Sequence, residues 1–138
     1  MINFFTEDID FKPKNSRKLK QWVKESALAE GYKILELNYI FCSDEYLHQM
    51  NVEYLDHDTL TDIITFDNSE TQGKIEGDIF ISIDRVKENA QEFKVSFEYE
   101  LSRVLIHGVM HLCGYKDKTD DEAKEMRGKE NQYLGTLS

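Results

Sequence analysis

The sequence predicts an α+β fold in which helices pack on a small mixed β-sheet. Short runs rich in β-branched and aromatic residues, TDIITF and DIFISI among them, are typical of strands. Longer segments carry apolar residues at helical spacing and start at residues that cap helices. These segments follow one another in the order α, β, α, β, β, α, α, α, and no domain boundary appears among them. We therefore expect one domain over residues 1–138.

The first two segments are a helix and a strand. Asn15 and Ser16 can cap a helix that runs to about Ala29 and ends at Gly31. The apolar stripe of this helix consists of Leu19, Trp22, Val23 and Leu28. The segment YKILELNYIFCS then alternates apolar and polar residues, which predicts a strand with one buried face. The residues expected on that face are Leu35, Leu37, Tyr39 and Phe41.

A short helix and two strands come next. Ser43 or Asp44 caps the helix, and Leu47, Met50 and Tyr54 form its apolar side. TDIITF is typical of a buried strand, and DIFISI predicts a second strand after the turn-rich connection DNSETQGKIEG.

The C-terminal part of the chain is predicted to contain three helices. Asp84 can cap the first of them, and Ser96 caps the longer second helix, FEYELSRVLIHGVMHLC, which Gly114 ends. Thr119 and Glu122 have the spacing of a capping box, which predicts the start of the last helix.

Composition narrows the possible functions. The chain is 40% hydrophobic and has a net charge of −10, which is typical of a globular protein and unfavourable for nonspecific nucleic-acid binding. No signal peptide or membrane span is expected. Cys42 and Cys113 are therefore expected to be reduced thiols in a cytoplasmic protein.

Basic residues concentrate near the N-terminus. About a third of the 17 basic residues of the chain are Lys12, Lys14, Arg17, Lys18, Lys20 and Lys24. They can form the solvated face of the first helix, or a local basic face that attracts a polyanion.

A candidate metal site lies on the long helix. His107 and His111 are four residues apart, so a helix places both side chains on one face, as in zincins. Neutral imidazole is a common ligand of Zn²⁺. Gly114 allows a left-handed turn that carries the chain back past the two histidines. Asp117 is then the best-placed third ligand.

Two other acidic residues, Asp120 and Asp121, are rival ligands, but both lie where a helix start favours acidic side chains. Cys113 is a further, weaker alternative, because it points to another side of the helix than His111. Two histidines and one carboxylate suit Zn²⁺ and also other first-row ions, iron and nickel among them.

Three protein ligands leave a coordination position open, which is typical of catalytic rather than structural zinc sites. The composition of the site therefore predicts a metal-dependent hydrolase. Zinc proteases with a His-Glu-x-x-His helix use the Glu as a general base, but Gly108 occupies that position here. Peptide hydrolysis by that mechanism is disfavoured.

The segment HGVMHLCGYKD resembles the His-Gly-x-x-His-Leu-x-Gly-x-x-His signature of the YbeY family. MNVEYLDHDTLTDIITF and EGDIFIS resemble two further blocks of that family, and the acidic last helix with Glu122, Glu125 and Met126 fits as well. The resemblance extends from about Leu35 to the C-terminus. It implies helices around an about four-stranded mixed sheet.

The resemblance also implies an activity. YbeY proteins are bacterial metal-dependent endoribonucleases that cut single-stranded RNA, and they act in ribosomal RNA maturation and ribosome quality control. The implied reaction is processing of the 3′ end of 16S ribosomal RNA. The implied partners are an rRNA precursor and the small ribosomal subunit or its proteins.

Two positions differ from the family pattern. The third ligand is usually His, and Asp117 stands there. The resemblance implies an Arg that holds or activates RNA phosphate, and Leu55 stands at that position. Arg103 lies four residues before His107 on the same helix face and is a candidate catalytic residue in its place. The alternative for Arg103 is a surface ion pair with Glu100 or Glu98.

Several other polar residues match family positions less clearly. Asp58 and Asp62 match acidic positions of the central block, and a turn or cap role is expected for both, with a role at the site left open for Asp62. His48 and His57 match no ligand position and are expected at the surface or in caps.

Two alternatives to RNA cleavage stand at this point. One is a metal-dependent hydrolase of a peptide or amide, against which Gly108 counts. The other is a non-catalytic ribosome-assembly factor whose metal only stabilises the C-terminal fold, an alternative that the change at Leu55 supports.

Overall fold

A computed structural model describes residues 1–55 and 61–137, except for the side chain of Leu55. The strands are β1 (Ile2–Thr6), β2 (Lys33–Cys42), β3 (Ile63–Asp67) and β4 (Lys74–Ser82). The helices are α1 (Ser16–Ala29), α2 (Asp44–Leu55), α3 (Ile83–Glu92), α4 (Phe97–Leu112) and α5 (Asp120–Leu134). The expected α+β class, with helices around a small mixed sheet, is confirmed.

The four strands form one sheet in the order β1-β2-β4-β3. β2 pairs in parallel with β1 on one side and with β4 on the other, and β3 runs antiparallel to β4. β1 and β3 are therefore the two edges of the sheet, and they lie three strand spacings apart.

The predicted element order lacked β1, so the segment INFFT is a correction. Its partner β2 begins about 30 residues further along the chain, with Ile2 opposite Leu37 and Phe4 opposite Tyr39. A strand this short is stabilised by pairing with that distant segment, which local residue patterns do not reveal.

The main core lies between one face of the sheet and the helices α1, α3, α4 and α5. Tyr39 and Phe41 of β2 are fully buried on this face, and the Tyr39 hydroxyl donates a hydrogen bond to the Leu105 carbonyl in α4 at 2.8 Å. Trp22 of α1 donates its indole N–H to the Tyr133 carbonyl at the end of α5. These bonds attach α4 and α5 to the sheet and to α1.

The second face of the sheet packs on α2, where Cys42, Leu47 and Ile64 form a smaller core. The C-terminal half of β2 is therefore buried on both faces, which corrects the prediction of one buried face. Leu35 was expected inside but is exposed, because the pairing of β2 with β4 shifts register between Ile34 and Glu36.

Most helix ends agree with the sequence, and two N-caps do not. Ser82 caps α3, while the predicted cap Asp84 instead accepts a hydrogen bond from the backbone N–H of Asp44 at the start of α2. Asn15 has a left-handed backbone, and its side chain makes no capping bond. Ser16 donates to the Pro13 carbonyl instead. Ser43, Ser96 and the Thr119–Glu122 capping box are confirmed.

Two apolar residues that were expected inside lie at the surface. Leu28 of α1 and Tyr54 of α2 are both exposed. Cys42 and Cys113 are buried free thiols, and burial raises the pKa of each to about 12.

Across residues 1–55 and 61–137, the helices lack the combined length and apolar character that crossing a bilayer requires.

Candidate metal centre

Gly108 determines how closely α4 approaches the sheet. A β-carbon at this position would lie 2.8 Å from Cδ1 of Ile79 in β4 and 3.1 Å from Cδ1 of Ile63 in β3. Because real β-carbons essentially never come within 3.0 Å of another atom, a side chain here would require the packed Ile79 and Ile63 side chains or the helix itself to shift. The glycine thus places the neighbouring His107 beside the start of β3.

The end of α4 brings the next segment back toward the histidines. Gly114 has a φ of +99°, and its N–H donates to the His111 carbonyl, while the Tyr115 N–H donates to the Met110 carbonyl. This pair of bonds is the Schellman motif, which requires a left-handed residue at the position of Gly114. The predicted reversal of the chain at Gly114 is confirmed, and it carries Asp117 back toward the helix.

Three side chains meet at this point. The Nε2 atoms of His107 and His111 are 3.0 Å apart, and Oδ2 of Asp117 lies 3.3 Å from the first and 3.5 Å from the second. Among the described residues, these three are the set of His, Cys, Asp or Glu side chains whose ligand atoms are close enough together to hold one metal ion.

The other nitrogen of each imidazole is engaged. His111 Nδ1 lies 3.0 Å from the Tyr115 carbonyl, which can only accept, so Nδ1 carries the proton. His107 Nδ1 lies 2.7 Å from Oε2 of Glu130. Burial is the largest influence on the pKa of Glu130 and raises it, but the bond from His107 and the charge of Arg103 outweigh burial, and the pKa lies below its ordinary value. Glu130 is therefore an ionised acceptor, and His107 Nδ1 also carries the proton.

These protons decide what the centre can bind. With Nδ1 carrying the proton of each ring, the Nε2 atoms are the ones left to present lone pairs toward each other and toward the carboxylate of Asp117. Three acceptors that converge without a donor suit a cation. Ligands held about 2.0–2.1 Å from a tetrahedral ion lie about 3.3 Å from one another, which is close to the middle of the three observed distances. The residues present therefore fit a first-row divalent ion.

A buried ionic cluster supports His107 from behind. Arg103 donates from Nε to Glu100 at 2.9 Å and from one terminal nitrogen to Glu130 at 3.0 Å. Its other terminal nitrogen also donates to Glu100. Glu100 and Glu130 are almost fully buried, and their charges and hydrogen bonds raise the pKa of Arg103 in spite of burial, the largest influence, which lowers it. The cluster fixes the carboxylate that orients the His107 ring.

The predicted alternatives for Arg103 are only partly met. Arg103 forms the expected ion pair with Glu100, but this pair is buried rather than at the surface. Glu98, the other expected partner, pairs with Lys14 instead. Arg103 also lines the cavity beside the two histidines. Each terminal nitrogen of its guanidinium has a second N–H, so the side chain keeps donors beyond those given to the glutamates.

The cavity at the centre has a volume of about 330 Å³. It is lined by the three converging side chains, by Arg103 and Val104 of α4, and by Thr61, Asp62 and Ile63 at the start of β3. The local turn bond is made by Thr61, whose hydroxyl donates to the Ile63 carbonyl. Asp62 is one of the residues that line the cavity, and its carboxyl accepts a hydrogen bond from the Asn89 side chain at 3.5 Å. Burial raises the pKa of Asp62, against the charges of Arg103 and His107.

The rival ligands lie elsewhere. Asp120 and Asp121 are in the first turn of α5, where acidic side chains favour the helix N-terminus. Cys113 packs into the main core. His48 lies on α2, away from the three converging side chains. The expectations for His57 and Asp58, and for the side chain of Leu55, fall outside the described residues.

Glu130 was not predicted from the sequence, because it lies 23 residues after His107 in a strongly charged helix. A signal for it exists in the helical spacing. Met126, Glu130 and Tyr133 are four and three residues apart, so Glu130 lies on the same buried stripe as its two apolar neighbours. A charged residue within an apolar stripe is a candidate partner for another buried polar group.

Comparisons with known proteins point to one family. The family model described as endoribonuclease YbeY matches residues 1–138. Endoribonuclease YbeY of Cytophaga hutchinsonii is 59% identical over 133 residues, which are 96% of this chain and 93% of that protein. Endoribonuclease YbeY of Flavobacterium johnsoniae is 53% identical over 134 residues, 97% of this chain and 95% of that protein.

One solved structure is similar over nearly the whole chain. The solution structure of TM1509 from Thermotoga maritima superposes with a TM-score of 0.69 at 32% identity, and the match covers 99% of this chain and 89% of that one. With a family model over all 138 residues and relatives of this similarity, the chain belongs to the endoribonuclease YbeY family, and it is an enzyme that hydrolyses phosphodiester bonds.

Proposed function

We propose that the protein is a zinc-dependent endoribonuclease that cleaves single-stranded RNA, with His107, His111 and Asp117 as the ligands of the ion. The observation that carries the proposal is the convergence of three acceptor atoms, 3.0 to 3.5 Å apart, in a chain of a nuclease family. Two imidazoles and one carboxylate at near-tetrahedral spacing favour Zn²⁺ among the first-row ions.

The surrounding residues support a catalytic rather than a structural centre. A divalent ion bound by these side chains supplies Lewis acidity for phosphodiester hydrolysis. Three ligands leave room for substrate, and the Asp117 side chain is 40% exposed, so the centre is open to solvent. Glu130 and the Tyr115 carbonyl orient the two rings so that both Nε2 atoms stay directed into the cavity.

We further propose that Arg103 contacts the scissile phosphate. It lines the cavity, and its guanidinium is held rigidly by Glu100 and Glu130. Two carboxylates surround this one cation, so the cluster has no excess positive charge with which to attract RNA from a distance. The contribution expected of Arg103 is directional hydrogen bonding to a phosphate that is already bound.

The physiological substrate we propose is an rRNA precursor, cleaved in the cytoplasm during maturation of the 3′ end of 16S ribosomal RNA and during ribosome quality control, with the small ribosomal subunit as partner. The name endoribonuclease, shared by the relatives, supports RNA as the substrate class. The resemblance of the sequence motifs to YbeY proteins supports the ribosomal role. The whole chain, residues 1–138, is proposed to act as one catalytic domain.

Hydrolysis of a peptide or amide has less support. The residue after the first histidine would have to supply a base, and Gly108 cannot, since a side chain there would collide with Ile79. A non-catalytic assembly factor is the remaining alternative, and the experiment below separates it from the proposal.

The test compares the wild-type protein with His111→Ala and Arg103→Lys, using metal content and cleavage of a single-stranded fragment of precursor rRNA. Wild-type protein purified without a chelating tag should contain one zinc per chain, and iron or nickel in its place would correct the choice of ion. His111→Ala should lose both metal and cleavage. Arg103→Lys keeps a cation beside Glu130, so it should retain most of the metal, but it should lose turnover, because an ammonium does not reproduce the guanidinium geometry.

Glu125→Gln, an exposed change on α5, serves as the control and should match the wild type. Unchanged cleavage by folded His111→Ala would contradict catalysis at this centre. A wild-type protein that binds zinc, cleaves no RNA and still supports ribosome maturation in cells would favour the assembly factor.

A further inference from the structure

A second and larger cavity lies away from the metal centre, between the outer edge of β1 and the exposed side of α1. This β1–α1 groove has a volume of about 1110 Å³. Its basic lining residues are Lys12, Arg17, Lys20, Lys24 and Lys33, and its aromatic lining includes Phe4, Phe5 and Phe11. Four of the six basic residues in the Lys12–Lys24 segment therefore meet in one groove.

The helical spacing explains why these cations lie together. Arg17, Lys20 and Lys24 are three and four residues apart, so α1 presents them along one face. The opposite face of α1 is buried in the core through Leu19, Trp22, Val23 and Ala27. The core thus fixes the orientation of the helix, and the basic stripe is held over the groove.

The cations of the groove are not neutralised by the protein. Within residues 1–55 and 61–137, none of the five forms an ion pair with a carboxylate, whereas Lys14, Lys129 and Arg103 all do. Asp10 is the acidic residue in the lining. A concentration of unneutralised positive charge on a protein with net charge −10 favours a polyanion as the occupant.

Aromatic rings lie beside these charges. The Lys20 ammonium is 5.0 Å from the centroid of the Phe4 ring, and the Phe5 side chain is 51% exposed although it is large and apolar. A groove that combines cations for phosphates with an exposed ring for a base is typical of sites for single-stranded nucleic acid. A duplex keeps its bases stacked inside and offers no base to Phe5.

The groove and the metal centre are separate. β1 borders the groove, while β3 borders the metal cavity, and these strands are the two edges of the sheet. Three strand spacings separate them by at least about 14 Å. An RNA strand in the groove would therefore be held several nucleotides away from the bond that is cut.

We propose that the β1–α1 groove is a second binding site for single-stranded RNA, which holds the substrate at a distance from the metal centre through phosphate contacts and stacking on Phe5. The proposal rests on the proposed function, because it takes RNA as the substrate. It adds that affinity for long substrates comes largely from residues remote from the chemistry.

The test measures binding of a labelled single-stranded RNA of about 20 nucleotides by fluorescence anisotropy over a range of salt concentrations. Arg17→Gln/Lys24→Gln removes two groove charges. Lys87→Gln/Lys124→Gln removes two exposed charges elsewhere and is the matched control. For the groove variant we expect the slope of log affinity against log salt to fall in magnitude by about 1.4 relative to the control.

A second pair of variants tests stacking. Phe5→Ala should weaken binding about fivefold or more, while Phe93→Ala, which removes a ring of similar exposure at the end of α3, should not. In cleavage assays the groove variants should raise KM for the long RNA with little change in kcat. They should leave a dinucleotide substrate unaffected, because it is too short to reach from the centre to the groove.

The outcomes separate the two proposals. A wild-type protein that binds RNA with these variant effects but does not cleave it would retain the groove and remove the proposed activity. Cleavage with equal RNA affinity for groove and control variants would overturn the groove proposal alone, and would leave the open edge of β1 as a surface for a protein strand. A wild-type protein that does not bind single-stranded RNA would also overturn it.

Discussion

At the scale of single residues, the metal centre depends on partners that fix the two imidazole rings. Glu130 accepts from His107 and is itself held by Arg103, and all three side chains are largely buried. Removing one member of such a cluster leaves another without its partner. A substitution of Glu130 should therefore weaken metal binding even though Glu130 is not itself a ligand of the ion. Asp117, by contrast, is partly exposed and depends mainly on the turn at Gly114.

Glu130→Gln should weaken zinc binding by about tenfold to a hundredfold, because the neutral amide no longer stabilises the His107 ring as a ligand with its Nε2 free. The measurement is the zinc dissociation constant from competition with a chelator of known affinity. Glu125→Gln changes the same charge on the exposed side of α5 and should leave the constant unchanged. Equal affinities for the two variants would show that Glu130 does not position the ligand.

At the scale of elements, the contact between α4 and the sheet places the histidines. The helix lies close to β3 and β4 because Gly108 has no side chain, and the bond from Tyr39 to the Leu105 carbonyl holds the preceding turn. Glycine lowers helix propensity, so its presence in the middle of α4 is explained by packing rather than by local preference.

Two glycine substitutions should have opposite effects on stability. Gly108→Ala should lower the free energy of unfolding by about 1–3 kcal/mol, because the added methyl would overlap Ile79 and Ile63. Gly128→Ala on α5 meets no atom within 4 Å and should raise it by about 1 kcal/mol through helix propensity. Chemical denaturation of both variants measures the difference, and stabilisation by Gly108→Ala would refute the close approach.

At the scale of the whole molecule, a polar cluster around Glu30 attaches the C-terminal part of the chain to α1. Tyr115, which follows the turn after α4, donates to Oε1 of Glu30 at 2.6 Å, and Lys129 of α5 donates to Oε2 at 3.0 Å. Tyr133 donates to the same carboxylate. Since the Tyr115 carbonyl also orients His111, this cluster connects overall stability to the metal centre.

Glu30 should make stability depend on pH in the acid range. Burial is the largest influence on its pKa and raises it, but the bonds from Tyr115, Tyr133 and Lys129 together lower it below 4.5. A carboxyl with a lowered pKa stabilises the fold above its unfolded value, and this stabilisation is lost as pH falls through the folded pKa.

Glu30→Gln should therefore lose less stability than the wild type when pH is lowered from about 6 to about 3.5, as measured by urea unfolding at each pH. Glu25→Gln, an exposed change on α1 shortly before Glu30, should follow the wild type. Parallel pH curves for all three proteins would contradict the role of Glu30.

Errors in the sequence-based predictions have a common physical origin. β1 was missed, and Asp84 was expected to cap α3 although it bonds the start of α2. Leu28 and Tyr54 were expected inside and are exposed. In each case the outcome depends on a segment far away in the chain, whereas residue patterns report on neighbours within a few positions.

By itself, the sequence determined what local geometry controls. His107 and His111 share a helix face because a helix repeats every 3.6 residues, and Gly114 reverses the chain because its backbone can adopt a positive φ. The order of helices and most of their caps follow from the same short-range rules. These rules were enough to bring Asp117 toward the two histidines.

Only the tertiary structure decided which distant groups meet. It placed Glu130 behind His107 and joined β1 to α1 in a basic groove opposite the metal centre. It also showed that Gly108 is required by the approach of α4 to the sheet, beyond its inability to act as a base. These features arise when the core closes and brings remote segments into contact, and the spacing of residues along the chain does not specify them.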